Sequence, residues 1–181
     1  RVYPLVNDTL DATKAALRQA FDECDTVVTS GGVSVGDHDY VKPALESLGG
    51  ELDFWKVRIK PGKPFVYGRL RGKPLFGVPG NPVSAMVTFL VLVRPGILKL
   101  TGATDLELPA HPGVLAVPLV NRGDRRHFMR VRVDAAGQVH AAGLQASHAV
   151  GPLGQANALV DVPPETSLAE GASVTVLRFA D

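Results

Sequence analysis

The hydrophobic rhythm of this chain changes once, near "GATDLELPAHPG" (residues 102–113), and that change limits the folds open to it. Upstream, strand-like and helix-like patterns alternate. "NDTLDATKAALRQAFDEC" places Leu10, Leu17 and Phe21 at helical spacing behind Asp and Thr, and "DTVVT" is a β-branched run ending at Gly31-Gly32. "YVKPALESLGG" predicts a short helix with Pro43 in its first turn and Gly49-Gly50 at its end. "PFVYGRL" and "PLFGV" flank "RGK" as a hairpin would. A long helix is expected behind Asn81 as cap and Pro82 at the first position, kinked or interrupted at Pro95-Gly96. Downstream come short β-type runs with no convincing helix: "VLAVPLV", "HFMRVRV", "QVHAAG", "ALVDV" and "SVTVLRF". The expectation is an α/β layered domain over residues 1–103 and a small barrel or sandwich over residues 104–181.

Composition narrows function. A formal net charge of +1 gives no reason to expect nucleic-acid binding, and no stretch holds the roughly 18 uninterrupted apolar residues of a membrane span. The single cysteine, Cys24, cannot form an internal disulfide; a buried thiol in a reducing cytoplasm is expected. "RVYPLV" reads as a strand entered without preamble, without initiator Met or signal peptide, and suggests the C-terminal part of a longer protein.

Charge is the sharpest local signal. Residues 1–53 hold ten acidic and four basic side chains; residues 54–104 hold nine basic ones and no carboxylate. In "DFWKVRIK" the alternation predicts one strand with Lys56, Arg58 and Lys60 on a common face and Lys63 on the following turn. Such a face is either a field for a phosphate or oxyanion, or a solvated edge strand that discourages aggregation. "SGGVSVGDHDY" (residues 30–40) follows a strand and precedes a helix, so its backbone N–H groups can close around an anion. Asp37 and Asp39 beyond the glycines suit a magnesium ligand or proton acceptor, with a helix cap as the plain alternative for Asp39. His38 between them reads as a surface residue. "GVPGNPVSA" (residues 77–85) sets a rigid turn before a helix, with Ser84 able to donate to an anion or simply part of a well-capped buried helix. In "NRGDRRHFMRVRV", Arg125, Arg126, Arg130 and Arg132 crowd one strand, and "ASH" (residues 146–148) lies on a later loop that could face them.

Taken in order, "SGGVSVGDHDY", "FWKVRIKPGKPFVYG" and "GVPGNPVSA" resemble the molybdopterin molybdenumtransferase family, the MoeA and gephyrin E-domain type. The resemblance covers nearly the whole chain, more weakly over the last seventy residues. It implies an α/β three-layer molybdopterin-binding (MogA-like) domain, truncated at its N-terminus, followed by a small all-β barrel-like domain. It implies a cytoplasmic enzyme that inserts molybdate into adenylylated molybdopterin while AMP leaves with magnesium assisting. It also implies a homodimer formed through an N-terminal half not in this sequence, so the 181 residues alone are expected to fold without necessarily turning over. By residue, Asp8 and Asp39 match acidic site residues, with Asp37 where the family often has Glu; these three are the magnesium candidates. Lys56 and Lys60 match two family lysines, Pro79 and Pro82 the loop prolines, and Arg130 and Ser147 an arginine and a serine of the second domain. Ser30, Gly31, Gly32, Ser34, Gly36, Lys63, Gly80, Asn81 and Ser84 complete the expected substrate contacts. The competing readings are a molybdopterin adenylyltransferase on the same α/β scaffold and a pterin-binding scaffold protein of the gephyrin type without turnover.

Overall fold

A computed structural model describes residues 1–34, 36, 39–143, 145 and 151–180. The chain forms two compact units, Arg1–Val57 with Gly62–Asn81, and Arg58–Pro61 with Pro82–Asp181.

The first unit opens with helix α1 (Leu10–Glu23), capped by the Thr9 hydroxyl, which accepts from the Ala12 N–H at 3.3 Å. Strand β1 (Val27–Ser30) leads through the glycine loop to α2 (Val41–Ser47). Strands β2 (Glu51–Trp55), β4 (Val66–Leu70) and β5 (Lys73–Val78) complete a four-stranded sheet of order β1-β5-β4-β2; the short β3 (Ile59–Lys60) belongs to the other unit. β4 and β5 form the expected hairpin, closed by Arg71 (φ 53°) and Gly72 (φ 76°) after the Leu70–Lys73 pair. Two consecutive positive φ values are what a two-residue turn needs to match strand twist. Leu17, Ala20 and Phe21 of α1 and Val41, Ala44 and Leu45 of α2 bury against Val66, Leu70 and Leu75 of the sheet.

The second unit carries the helical run α3 (Pro82–Thr88), a π-turn at Phe89–Val93, and α4 (Arg94–Leu100). Five strands then close a barrel: β6 (Ala110–Leu115), β8 (Arg126–Val133), β9 (Gln138–Ala141), β10 (Ala158–Val162) and β12 (Ser173–Arg178), in the order β10-β12-β6-β9-β8 with β8 returning to β10. β7 (Leu119–Asn121) and β11 (Thr166–Leu168) pair as a separate ribbon. Leu115, Met129, Val131, Val139, Val160 and Val176 fill the barrel. β3 takes the edge of β8 that β9 leaves open, in parallel register Ile59↔Arg126 and Lys60↔His127.

Five expectations need correcting. "RVYPLV" is not a strand: Pro4 has no N–H for a ladder, and Val2 and Leu5 are 97% and 100% exposed. "DFWKVRIK" is not one strand, because Lys56 (φ 68°) turns the chain out of β2, so Lys56 falls in the first unit and Arg58 and Lys60 in the second. They share no strand face. The helix is not broken at Pro95; the π-turn widens the preceding backbone, with the Arg94 N–H reaching the Phe89 carbonyl, and α4 starts with Pro95 in its first turn. The resulting 19-residue run is long and apolar enough to cross a membrane, and also carries a buried side of Val83, Val87, Thr88 and Val93. "VLAVPLV" splits between β6 and β7. Cys24, expected to be buried, is half-buried, 3.5 Å from the Tyr3 hydroxyl.

Candidate functional site

The parallel pairing of β1 with β5, Val27↔Leu75 through Ser30↔Val78, sets their carboxyl ends side by side. That is where ligands bind in open α/β sheets. Gly31 (φ 86°) and Gly32 (φ 67°) leave β1 in the left-handed region, and the Gly31 N–H donates to the Val78 carbonyl at 3.0 Å. The "VPGNP" turn leaves β5 next to them: a Cβ on Gly80 would lie 3.3 Å from the Gly31 Cα. Gly80 thus sits in a close approach of two backbones, while Gly31 is favoured by its positive φ. Val33 packs over Gly77, whose missing Cβ makes room for it, and the Trp55 indole N–H donates to the Val33 carbonyl at 3.1 Å. Pro79 is buried and Gly80 exposed on this turn.

Asp39 folds back on the loop rather than capping the helix. Its carboxylate accepts from the Gly36 N–H at 2.5 Å while its own N–H donates to the Gly36 carbonyl at 3.1 Å. Tyr40, not Asp39, stands at the α2 N-cap, with no side-chain cap bond. Ser34 is exposed. Asp37 and His38 lie outside the described residues.

Asp8, immediately before the Thr9 cap of α1, faces a cleft of about 570 Å³ that also includes Ser30, Gly31, Gly32 and Tyr40. The structure thus brings Asp8 together with the glycine loop. The cleft's other walls are largely apolar, supplied by the 3–6 segment, α1 and β1. Sequence reading passed over Thr29, whose hydroxyl is buried beside Gly77 with no partner among the described residues. Nothing in a β-branched run distinguishes it.

Lys56 ends β2, its N–H donating to the Phe65 carbonyl at 2.9 Å and its ammonium 3.7 Å from the centre of the Trp55 ring. A second ammonium, from Lys42, lies 3.4 Å from the same centre. Lys63 is exposed, and its carbonyl accepts from Val57 at 3.0 Å.

The second unit assembles a separate cluster of cations. The β3–β8 register sets Lys60 beside His127, and Arg125 donates to the Ile59 carbonyl at 3.1 Å. Asn121 fixes the turn before β8, donating to the Arg125, Val162 and Pro163 carbonyls at 2.8, 3.1 and 2.9 Å. His127 is 3% exposed; burial first, then the charges of Lys60, Arg130 and Arg125, push its pKa down to about 4. The imidazole is thus neutral, a donor and acceptor set among cations. Arg130 is 1% exposed, its guanidinium lowered from the usual arginine value by burial. The Gln145 side chain brackets its peptide, accepting from the Arg130 N–H and donating to its carbonyl, both at 2.9 Å. Arg132 is exposed, and Arg126 pairs with Asp161. Ser147 lies outside the described residues. Pro82 begins α3, and Ser84 is buried in its first turn, with Asn81 half-buried just before.

Comparison with known proteins agrees with this geometry. Residues 1–99 match the family model described as "Probable molybdopterin binding domain", and residues 112–179 match "MoeA C-terminal region (domain IV)". The molybdopterin molybdenumtransferase of Haemophilus influenzae is 38% identical over 97% of this chain and 45% of its own length. Molybdopterin molybdenumtransferase 2 of Mycobacterium tuberculosis is 39% identical over 88% of this chain and 40% of its own. The crystal structure of a molybdopterin biosynthesis MoeA protein from Pyrococcus horikoshii superposes with a TM-score of 0.82 at 31% identity, covering 97% of this chain and 42% of that one. A molybdopterin-binding α/β domain followed by a MoeA domain IV barrel is the class of protein this defines. The chain belongs to the MoeA-type molybdopterin molybdenumtransferase family, and it spans less than half the length of these relatives.

Proposed function

We propose that this chain is part of a molybdopterin molybdenumtransferase, which inserts molybdate into adenylylated molybdopterin and releases AMP. The observation that carries the reading is the pair of touching loops, "SGG" and "VPGNP", at the carboxyl ends of two parallel strands in a chain of this family. In the first unit, the loops are to hold the pterin phosphates, with Lys56 offsetting their charge and Asp8 facing them only across a cation. In the second unit, Lys60, His127 and Arg130 are to receive the molybdate oxygens, since a neutral imidazole and cations together can meet the oxygens of a dianion.

Magnesium fits as an ion shared with substrate. Among the described residues no three His, Cys, Asp or Glu side chains form a metal cluster. Magnesium is commonly held by one or two carboxylates together with substrate phosphates, a requirement Asp8 and Asp39 meet in donor type. When bound it supplies Lewis-acid polarisation of the phosphoanhydride. Asp39 sets the loop's shape through Gly36, and Asp8 would share the ion with the substrate phosphate from the cleft it lines with Ser30–Gly32. Homodimerisation and a cytoplasmic setting belong to the same proposal, the first supported by the family resemblance and the second by the unpaired Cys24.

The test is a molybdate titration of AMP release by the native-length protein with magnesium present. Lys60→Ala and Arg130→Lys are expected to raise the molybdate concentration for half-maximal release by about tenfold, the size of one lost charge-assisted contact. An unchanged molybdate dependence in both would remove the second unit from the oxyanion's path.

A further inference from the structure

Lys42 was not singled out by sequence, since one lysine on a short helix is commonplace. The structure gives it an unusual position. Its ammonium and that of Lys56 each lie within 4 Å of the centre of one indole ring, at 3.4 and 3.7 Å, so the two nitrogens are no more than about 7 Å apart. Among the described residues neither forms an ion pair with a carboxylate. Two like charges held this close repel unless an anion stands between or beside them.

Two contacts tie this pair to the glycine loop, and a third fixes Lys56 itself. The Trp55 N–H donates to the Val33 carbonyl at 3.1 Å, so the ring is fastened to the residue following Gly32. The Val41 N–H donates to the Gly32 carbonyl at 3.1 Å, which fixes the residue before Lys42 against the same loop. Lys56 holds a left-handed conformation at φ 68° that a lysine rarely adopts, and its N–H is spent on the Phe65 carbonyl. The backbone is bent at the position that carries its ammonium to the ring.

We propose that Lys42 and Lys56 form a two-lysine clamp for a diphosphate group, with Trp55 as the shared rest on which both ammonium groups wait. An anion with two phosphoryl groups can offer an oxygen to each ammonium group, and the substrate of the proposed function carries such a group. Binding draws the ammonium groups from the ring face onto phosphate oxygens, and the aromatic face remains to shield them from water. This deepens the proposed function, on which it rests for the identity of the natural diphosphate: the bridge between pterin and AMP. Lys42 thereby becomes a substrate-binding residue.

Trp55 is the chain's one tryptophan and reports the event directly. The probe is inorganic pyrophosphate, titrated into the 181-residue chain by calorimetry and by indole fluorescence. Lys42→Ala is expected to weaken pyrophosphate binding about tenfold and to flatten its salt dependence. Lys42→Arg should retain affinity within about threefold, because a guanidinium keeps the charge. Lys99→Ala, on the exposed end of α4, should match the unaltered chain. The indole signal should change on pyrophosphate addition in the unaltered chain and lose that change in Lys42→Ala. Equal pyrophosphate affinity in Lys42→Ala, or no binding and no fluorescence change in the unaltered chain, overturns the clamp. The proposed function fails separately: Lys42-dependent pyrophosphate binding without molybdate-dependent AMP release keeps the clamp and discards the transferase. Molybdate-dependent AMP release with the same KM for the adenylate in Lys42→Ala does the reverse.

Discussion

His127 shows how one buried side chain links charge to stability. Unfolded, its imidazole takes up a proton near the ordinary histidine value of 6.5; folded, it resists until about 4. Between those values the unfolded chain binds more protons, so stability rises with pH. The contribution is complete above the unfolded value and is lost as pH falls through the window, by on the order of 3 kcal/mol. Urea unfolding at pH 7.5 and pH 5 should therefore show a larger loss on acidification in the native chain than in His127→Leu; equal losses would contradict the assignment. Sequence alone could place His127 in an arginine-rich strand, but not predict that β3 would bring Lys60 alongside. It chose Lys56 by residue type and missed its conformation, because no glycine marks the positive φ. Thr29 and Lys42 were illegible for the same reason: their significance lies in neighbours distant along the chain.

At the scale of elements, the legible parts were those whose signals are local. α1 follows from its cap and its apolar spacing, the β4–β5 hairpin from Arg-Gly between two apolar runs, and β1 from its β-branched run ahead of two glycines. The illegible parts depend on partners. A clean alternation over "DFWKVRIK" cannot tell that the chain leaves one sheet at Lys56 and enters another at Ile59. Pro95 suggests a break that does not come, because the π-turn ahead of it absorbs the missing N–H. Two glycines of the sheet separate conformational cost from packing cost. At Gly72 (φ 76°) an added Cβ meets nothing within 4 Å, so Gly72→Ala should cost only about 1 kcal/mol of backbone strain. At Gly77 the Cβ would lie 2.6 Å from Val33 Cγ1 and 3.1 Å from Val66 Cβ, so Gly77→Ala should cost about 1–3 kcal/mol through overpacking. Denaturation midpoints should rank them in that order, and Gly77→Ala alone should also disturb the Trp55–Val33 contact and the indole signal.

For the whole molecule, the change of rhythm announced an α/β part and a β-barrel part, matched by the families at residues 1–99 and 112–179, whereas the compact units divide at Asn81–Pro82, with Arg58–Pro61 also joining the second. The absence of carboxylates over residues 54–104 also had structural content: it left Lys56 and Lys60 without acidic neighbours on their own segment. The first unit carries the glycine loops with Asp8, and the second carries Lys60, Arg125 and the buried Arg130 around the buried His127. The deciding measurement is AMP release from adenylylated molybdopterin by the native-length protein, with magnesium throughout, with and without molybdate, and with Asp39→Asn alongside. Asparagine can still accept from the Gly36 N–H, so the variant keeps the loop and removes the charge. The account predicts release only with molybdate, and its collapse in Asp39→Asn; release with magnesium alone, or none from a protein that binds the pterin tightly, would contradict it.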